Sequence, residues 1–299
     1  MGNTTESVNK NSLNIDELSS IDIVNLMLEE DQAIHQAVKH ALPSVAKAVD
    51  LIVKQWEKGG RVFVAGAGTS GRLGVLDAVE LGPTFSVEEG RWIGMVAGGK
   101  EAMWSPLEQH EDDELVVIDE LKSYSFNEND IVIGVSASGS TPYSVSAIKY
   151  AKALGAKAIS LSCNHNTISS KLSDCGIEVV VGPEVIKGST RLKAGTAQKM
   201  VLNMLSTGAM VKLGKVYQNQ MVDMQLINKK LVKRAEHILM ELTDISETEA
   251  KQLMAESNHD LKASIFVSIT HTNLDQARHF LKKQNGHLKK AIKDYFESN

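Results

Sequence analysis

The chain has 299 residues, 42% of them hydrophobic and 23% charged, close to the averages of folded globular proteins, which excludes a disordered chain and a small disulfide-stapled scaffold. Thirty-two Lys plus Arg against 37 Asp plus Glu leave a net charge of −5, the wrong sign for a protein whose main work is gripping nucleic acid. Two cysteines, Cys163 and Cys175, are too few for a disulfide framework or a structural zinc site. The first ten residues lack an apolar signal-peptide core, and no apolar run reaches membrane-spanning length, so a cytoplasmic protein is expected.

Residues 1–41 are read as a helical N-terminal arm. From 42 to 56, Val45, Ala48, Val49, Ile52, Val53 and Trp56 recur at helical spacing, and Gly59-Gly60 ends the pattern. Five short β-branched runs follow, at 61–65, 92–97, 130–136, 156–162 and 177–181, several of them apolar on both faces. Helical patterns at 72–81, 106–121 and 142–154 lie between them. This alternation predicts an α/β fold with a doubly wound, five-stranded parallel sheet covered on both sides. After Pro183 no further strand is expected, and residues 193–242 read as helix. Ser246 with Glu249 three residues on forms a candidate capping box. A boundary there divides a main domain, 42–242, from a small three-helix C-terminal domain, 243–299, whose pattern breaks near Ser257-Asn258, Thr270 to Asn273 and Asn285-Gly286.

Two loops carry the candidate chemistry. Residues 64–74, Val-Ala-Gly-Ala-Gly-Thr-Ser-Gly-Arg-Leu-Gly, leave the first strand and open a helix, where unpaired backbone N–H groups and the helix dipole favour an anion. Gly66-x-Gly68-x-x-Gly71 also matches a dinucleotide fingerprint. The end of the next strand, residues 95–100, offers no carboxylate for a ribose, however, and Thr69 and Ser70 bring hydroxyls that suit a smaller anion. The second loop follows the third strand and crowds Ser136, Ser138, Ser140 and Thr141 ahead of Pro142, more hydroxyls than a helix cap requires. Both loops fall at the carboxyl ends of strands, where open parallel sheets bind ligands.

This pair of loops on five strands resembles the sugar isomerase (SIS) domain, whose Ser/Thr loops hold the phosphate of phosphorylated sugars. Residues 182–199, Gly-Pro-Glu-Val-Ile-Lys-Gly-Ser-Thr-Arg-Leu-Lys-Ala-Gly-Thr-Ala-Gln-Lys, resemble the signature shared by N-acetylmuramic acid 6-phosphate etherases and glucokinase regulatory proteins, with Lys187 where a small residue is usual. Residues 202–208 and 212–217, together with Thr5-Glu6, Asn14-Ile15-Asp16 and Glu30-Asp31, extend the resemblance over almost the whole chain. One SIS unit with a short helical tail is similar to the etherases; the regulatory proteins resemble two SIS units in tandem.

The resemblance implies removal of D-lactate from N-acetylmuramate 6-phosphate by two carboxyl groups, without metal or organic cofactor. Glu80 matches the family's proton-donating glutamate, although Gly82 replaces the first of two prolines usual nearby. Glu111 matches its second glutamate, the implied base. Taken alone, Glu80 reads as a solvated helix-end carboxylate, and Glu111 as one member of an acidic run on a helix with Glu108, Asp112 and Glu114. The expected phosphosugar-binding set is Thr69, Ser70, Ser136, Ser138, Ser140, Thr141 and Lys193. Lys193 and Arg72 are charge partners either for phosphate and lactyl carboxylate or for neighbouring acidic residues. The histidines show no metal spacing, so no metal is expected. The implied partners are a phosphorylated amino sugar and a second copy in a homodimer with sites at the subunit interface, and neither nucleic acid nor membrane. A phosphosugar-binding regulator and an aldose-ketose isomerase are the alternatives, the first needing no paired carboxyls, the second releasing no lactate. Lys282, Lys283, Lys289, Lys290 and Lys293 read as a solvated face.

Overall fold

A computed structural model describes residues 4–298. Strands β1 (Val62–Gly66), β2 (Trp92–Val96), β3 (Ile131–Val135), β4 (Lys157–Ser162) and β5 (Cys175–Glu178) form one parallel sheet in the order β2-β1-β3-β4-β5. Every residue of β1 and β3 is buried, as expected of strands covered on both faces. The chain steps from β1 outward to β2 and then crosses to β3 on the other side, so the order reverses between β1 and β3. Val62 pairs with Ile131 and Gly66 with Val135, which leaves the carboxyl ends of these two strands level. The two hydroxyl-bearing loops therefore leave the sheet side by side, at its topological switch point.

The first compact unit comprises residues 1–79 and 90–206. Its helices are α1 (Ser20–Glu57), α2 (Gly68–Phe85, which runs on into the second unit), α3 (Val116–Ser123), α4 (Pro142–Ala153), α5 (Ile168–Leu172) and α6 (Lys193–Lys212), the last also crossing the division. The 42–56 pattern proves to be the second half of α1, a single helix of 38 residues that runs through Pro43. Its buried stripe, Ile34, Ala37, Val38, Ala41, Val45, Ala48 and Ile52, begins well before residue 42, and residue 42 lies inside the helix. The segment 106–121 is not one helix. It holds a 3₁₀ turn, Glu108–His110, and α3, with Asp113 Oδ1 accepting from Leu115 N at 3.0 Å and Val116 N at 3.1 Å. A side-chain acceptor there satisfies the first amides of α3 and stops the helix from extending backwards. The acidic run thus sits on turns.

The second compact unit comprises residues 80–89 and 207–299. A short antiparallel pair, β6 (Val216–Tyr217) and β7 (Gln220–Met221), interrupts the stretch expected to be helix and corrects the expectation of no strand after Pro183. Two-residue strands are too short to show a period of two. Helix α7 (Lys229–Thr243) follows, then α8 (Glu247–Glu256), α9 (Leu261–Thr270), α10 (Leu274–Lys283) and α11 (Leu288–Ser298). The C-terminal segment therefore has four helices where three were expected, because three breaks separate four segments. Ser246 and Glu249 do form a capping box, and Asn228, Asp260 and Asn273 cap α7, α9 and α10 in the same sense. The core gathers Leu239, Met254, Ile265 and Phe266, and the Phe266 ring lies 6.0 Å from Phe280 and 5.6 Å from Tyr295, centroid to centroid.

Candidate functional site

The first loop is shaped by close packing of α2 on the sheet. A Cβ at Gly66 would stand 2.7 Å from Gly71 N, and one at Gly71 would stand 2.4 Å from Gly66 O and 2.8 Å from Val96 Cγ2. Two glycines of the motif are thus explained by packing alone. Ser70 is buried and its Oγ donates to Gln198 Oε1 on α6 at 3.0 Å, while Thr69 is half-buried. Gln198 is itself buried, and its Nε2 has no hydrogen-bond partner among the described residues.

The second loop is organised around Ser136, which is 2% exposed. Its Oγ lies 2.8 Å from Thr141 Oγ1 and 3.2 Å from Ser138 Oγ, and accepts from Gly139 N at 3.0 Å and Thr141 N at 3.4 Å. Ser138 Oγ in turn accepts from Ser140 N at 3.2 Å and Ser140 Oγ at 3.0 Å. Gly139 takes φ +70°, and a Cβ there would collide with Thr167 at 2.4 Å. Ser136 is therefore the scaffold of the loop. Ser138 and Thr141 are half-buried and Ser140 exposed, around the start of α4, where no side chain caps the helix. Pro142 has no N–H and Tyr143 N is taken by the Glu111 carbonyl, so it is chiefly the ring of hydroxyls at this helix start that forms a cradle suited to an anion.

Glu111 is held against this cradle, because Tyr143 N in the first turn of α4 donates to the Glu111 carbonyl at 3.1 Å. Its half-buried carboxyl is raised above the ordinary glutamate pKa, first by burial and then by the like charges of Asp112 and Glu108. Such a group holds a proton at a higher pH than a surface glutamate and is suited to proton transfer. Arg72 positions the segment that carries it. Its Nε donates to Ala102 O at 2.7 Å and its Nη2 to Ser105 O at 3.2 Å, with Nη1 3.9 Å from Glu108 Oε1.

Lys193 is already paired. It is 2% exposed, and its Nζ lies 2.6 Å from Glu30 Oε2 on α1. The buried Glu184 accepts from the backbone N–H of Lys193 at 3.0 Å and of Ala194 at 2.9 Å, which caps α6. The ammonium is thus held by a neighbouring carboxylate. Glu80 is exposed on α2, ten residues beyond Ser70, which is about 15 Å along the helix axis. The structure therefore gathers the hydroxyls of 136–141, Glu111 and Arg72 around one sheet end, with Thr69 and Ser70 on the adjacent loop. Sequence reasoning passed over Gln198, inside the quoted 182–199 stretch, and Asn164, just past the end of β4; each follows a feature already noticed. Among the described residues no group of three His, Cys, Asp or Glu is placed to hold a metal ion, and no helix is long and apolar enough to cross a membrane.

The sequence pattern of the glucokinase regulatory protein N-terminal SIS domain matches residues 44–152, that of the SIS domain residues 119–208, and that of a UBA-like domain residues 266–299. An N-acetylmuramic acid 6-phosphate etherase 2 of Bacillus licheniformis is 57% identical over 288 residues, 96% of this chain and 97% of the relative. The chain belongs to the N-acetylmuramic acid 6-phosphate etherase family. Another family member, from Clostridium beijerinckii, is 47% identical over 97% of this chain and 96% of its own. Among solved structures, a phosphoheptose isomerase from Francisella tularensis superposes with a TM-score of 0.51 at 20% identity, covering 65% of this chain and all of its own. At that identity the likeness establishes a shared SIS-type fold for this etherase-family chain and nothing finer.

Proposed function

We propose that this chain removes D-lactate from N-acetylmuramic acid 6-phosphate in the cytoplasm, as a cofactor-independent lyase that recycles cell-wall sugar into N-acetylglucosamine 6-phosphate. One observation carries the reading: a carboxyl with a raised pKa, Glu111, is hydrogen-bonded through its own backbone to the helix that opens the hydroxyl cradle. An anion anchor and a proton-transfer group on two segments joined by a backbone hydrogen bond are what a phosphosugar-transforming site needs.

An ether oxygen is a poor leaving group, so direct displacement is slow. In the open-chain sugar, the carbon bearing the acetamido group lies next to the aldehyde, which stores the electron pair left when its proton departs. Glu111 takes that proton, and the pair moves to expel the lactyl oxygen from the next carbon. Glu80 protonates that oxygen as it leaves. Water then adds to the unsaturated aldehyde at the vacated carbon, losing a proton to one carboxylate as the other returns one to the acetamido-bearing carbon. The substrate's own carbonyl is the electron sink, which makes the reaction feasible without a metal or organic cofactor. The phosphate rests on Ser138, Ser140 and Thr141 at the start of α4, with Thr69 and Ser70 beside it, and Ser136 shapes the loop. Lys193 acts through Glu30.

The family resemblance implies a homodimer with its sites at the subunit interface, and the exposed face of α2 that carries Glu80 is a surface suited to it. Leu76 and Val79, one helical turn apart on α2 and 48% and 62% exposed, give that surface an apolar contact beside Glu80.

The test is to follow lactate release from N-acetylmuramic acid 6-phosphate in water labelled with heavy oxygen, with Glu80→Ala and Glu111→Ala variants alongside. The expected result is label in the sugar and none in lactate, with turnover lost in both variants. Phosphosugar binding by a folded protein that releases no lactate would overturn the proposal in favour of a regulator. Isomerised sugar with lactate still attached would favour an isomerase.

A further inference from the structure

Asn164 stands two residues beyond β4 and is 2% exposed. Its Oδ1 accepts from Thr4 N at 2.6 Å, Thr4 Oγ1 at 2.8 Å and Thr5 N at 3.4 Å. Its Nδ2 donates to Thr5 Oγ1 at 3.1 Å and to Ala137 O at 2.9 Å. Turning the amide over would aim donors at the N–H groups of Thr4 and Thr5, so its orientation is fixed. Ala137 lies between Ser136 and Ser138, and its carbonyl also accepts from Cys163 N at 2.9 Å. One buried amide therefore grips the N-terminal residues on one side and the backbone of the hydroxyl cradle on the other.

The N-terminal residues are held at their far end as well. Ser12 Oγ donates to Val185 O at 2.7 Å, and Asn9 Nδ2 and Asn11 Nδ2 each donate to Glu30 at 2.7 Å. Glu30 also receives Lys193 Nζ at 2.6 Å. Burial alone would raise the Glu30 carboxyl, but the hydrogen bonds from Lys193, Asn11 and Asn9 outweigh it and keep the pKa below the ordinary glutamate value. Residues 4–12 thus form a strap tied to the segments leaving β4 and β5. Thr5 is 1% exposed, so its hydroxyl faces Asn164 and not solvent.

We propose that Asn164 is a positioning residue for phosphosugar binding, through which the docked strap holds the 136–141 loop in its anion-receiving form. This rests on the reading above that the loop takes the phosphate of a sugar. Holding the loop before the ligand arrives removes an ordering cost that binding would otherwise carry. By linkage, a bound phosphosugar tightens the strap in return.

The test is a double-mutant cycle of Thr5→Val and Asn164→Ala in the full chain, read as the Kd of N-acetylglucosamine 6-phosphate by calorimetry, with Tm, kcat and KM measured in parallel. Asn164→Ala is expected to weaken binding about tenfold and raise KM in step, with kcat within about twofold. Thr5→Val is expected to weaken binding by about threefold alone and to add nothing in the Asn164→Ala background. Hydrogen exchange at residues 4–12 should slow when the ligand is added. A lowered Tm with unchanged Kd in both variants would overturn the proposal, as would additive effects or exchange indifferent to ligand. If Asn164→Ala fails to fold, an unchanged Kd in Thr5→Val is sufficient to reject it. The Kd is independent of turnover, so a wild-type protein that releases no lactate but still shows the coupling removes the etherase reading and leaves this one standing.

Discussion

Around the carboxyl ends of the sheet the buried residues include Ser136, Asn164, Thr167, Glu184 and Lys193, each engaged by directional hydrogen bonds. In the helical unit the interior is Leu239, Ile265 and Phe266 with the ring cluster of Phe280 and Tyr295. Apolar contact stabilises in proportion to area and tolerates small displacements, whereas a hydrogen-bonded network is worth little if its geometry slips. The polar end of the sheet therefore holds positions, and the aromatic cluster holds the chain folded. Substitutions in the two regions should separate along that line.

The largest effect belongs to the carboxyl at the cradle. Glu111→Gln keeps the shape and removes the base, and lactate release is expected to fall about 10³-fold with the Kd for N-acetylglucosamine 6-phosphate little changed. A fall in affinity matching the fall in rate would mean that Glu111 serves binding. In the helical unit, Phe266→Ala removes a fully buried ring that touches two others, and unfolding is expected to become easier by about 3 to 5 kcal/mol. Denaturant titration reads this directly, and a loss below about 1 kcal/mol would show that the cluster closes over the gap. Gly139→Ala is the intermediate case. It forces a side chain into φ +70° and against Thr167, which costs about 2 kcal/mol and spoils the loop, so KM should rise by more than tenfold. If Gly139→Ala lowered Tm but left KM alone, the division between positioning and folding would not hold.

These contrasts also explain what could be read in advance. The five strands stood out because burial on both faces leaves short runs without a polar residue, such as Val62–Gly66 and Ile131–Val135. The first half of α1 did not, since Ile21, Val24 and Leu28 are exposed and its stripe is diluted by charge. The turns at 99–115 were hidden because Asp113 acts as a cap, which its composition shares with any acidic helix face. At the site, the hydroxyls declared themselves by crowding ahead of Pro142. The partners of Lys193 and Ala137 did not, because Glu30 and Asn164 reach them only through the fold, with 163 residues separating Lys193 from Glu30. Local chemistry is legible in sequence, and long-range hydrogen bonding waits for the topology.

The smallest predicted effect tests the electrostatics of Glu111 alone. Burial is the first cause of its raised pKa, and Asp112 and Glu108 add like charge. A base must be ionised to act, so kcat/KM should climb as pH rises through the Glu111 pKa, placing the acid limb above the ordinary glutamate range. Asp112→Asn removes one repelling charge, which favours the ionised carboxylate, lowers its pKa and moves that limb to lower pH with the plateau unchanged. The stability profile should move in concert. A carboxyl whose folded pKa exceeds its unfolded one binds more protons when folded, so the protein loses stability as pH rises through the interval between the two values. Asp112→Asn narrows that interval and lessens the loss. A limb that shifted while the stability profile stayed fixed would assign the titration to another group.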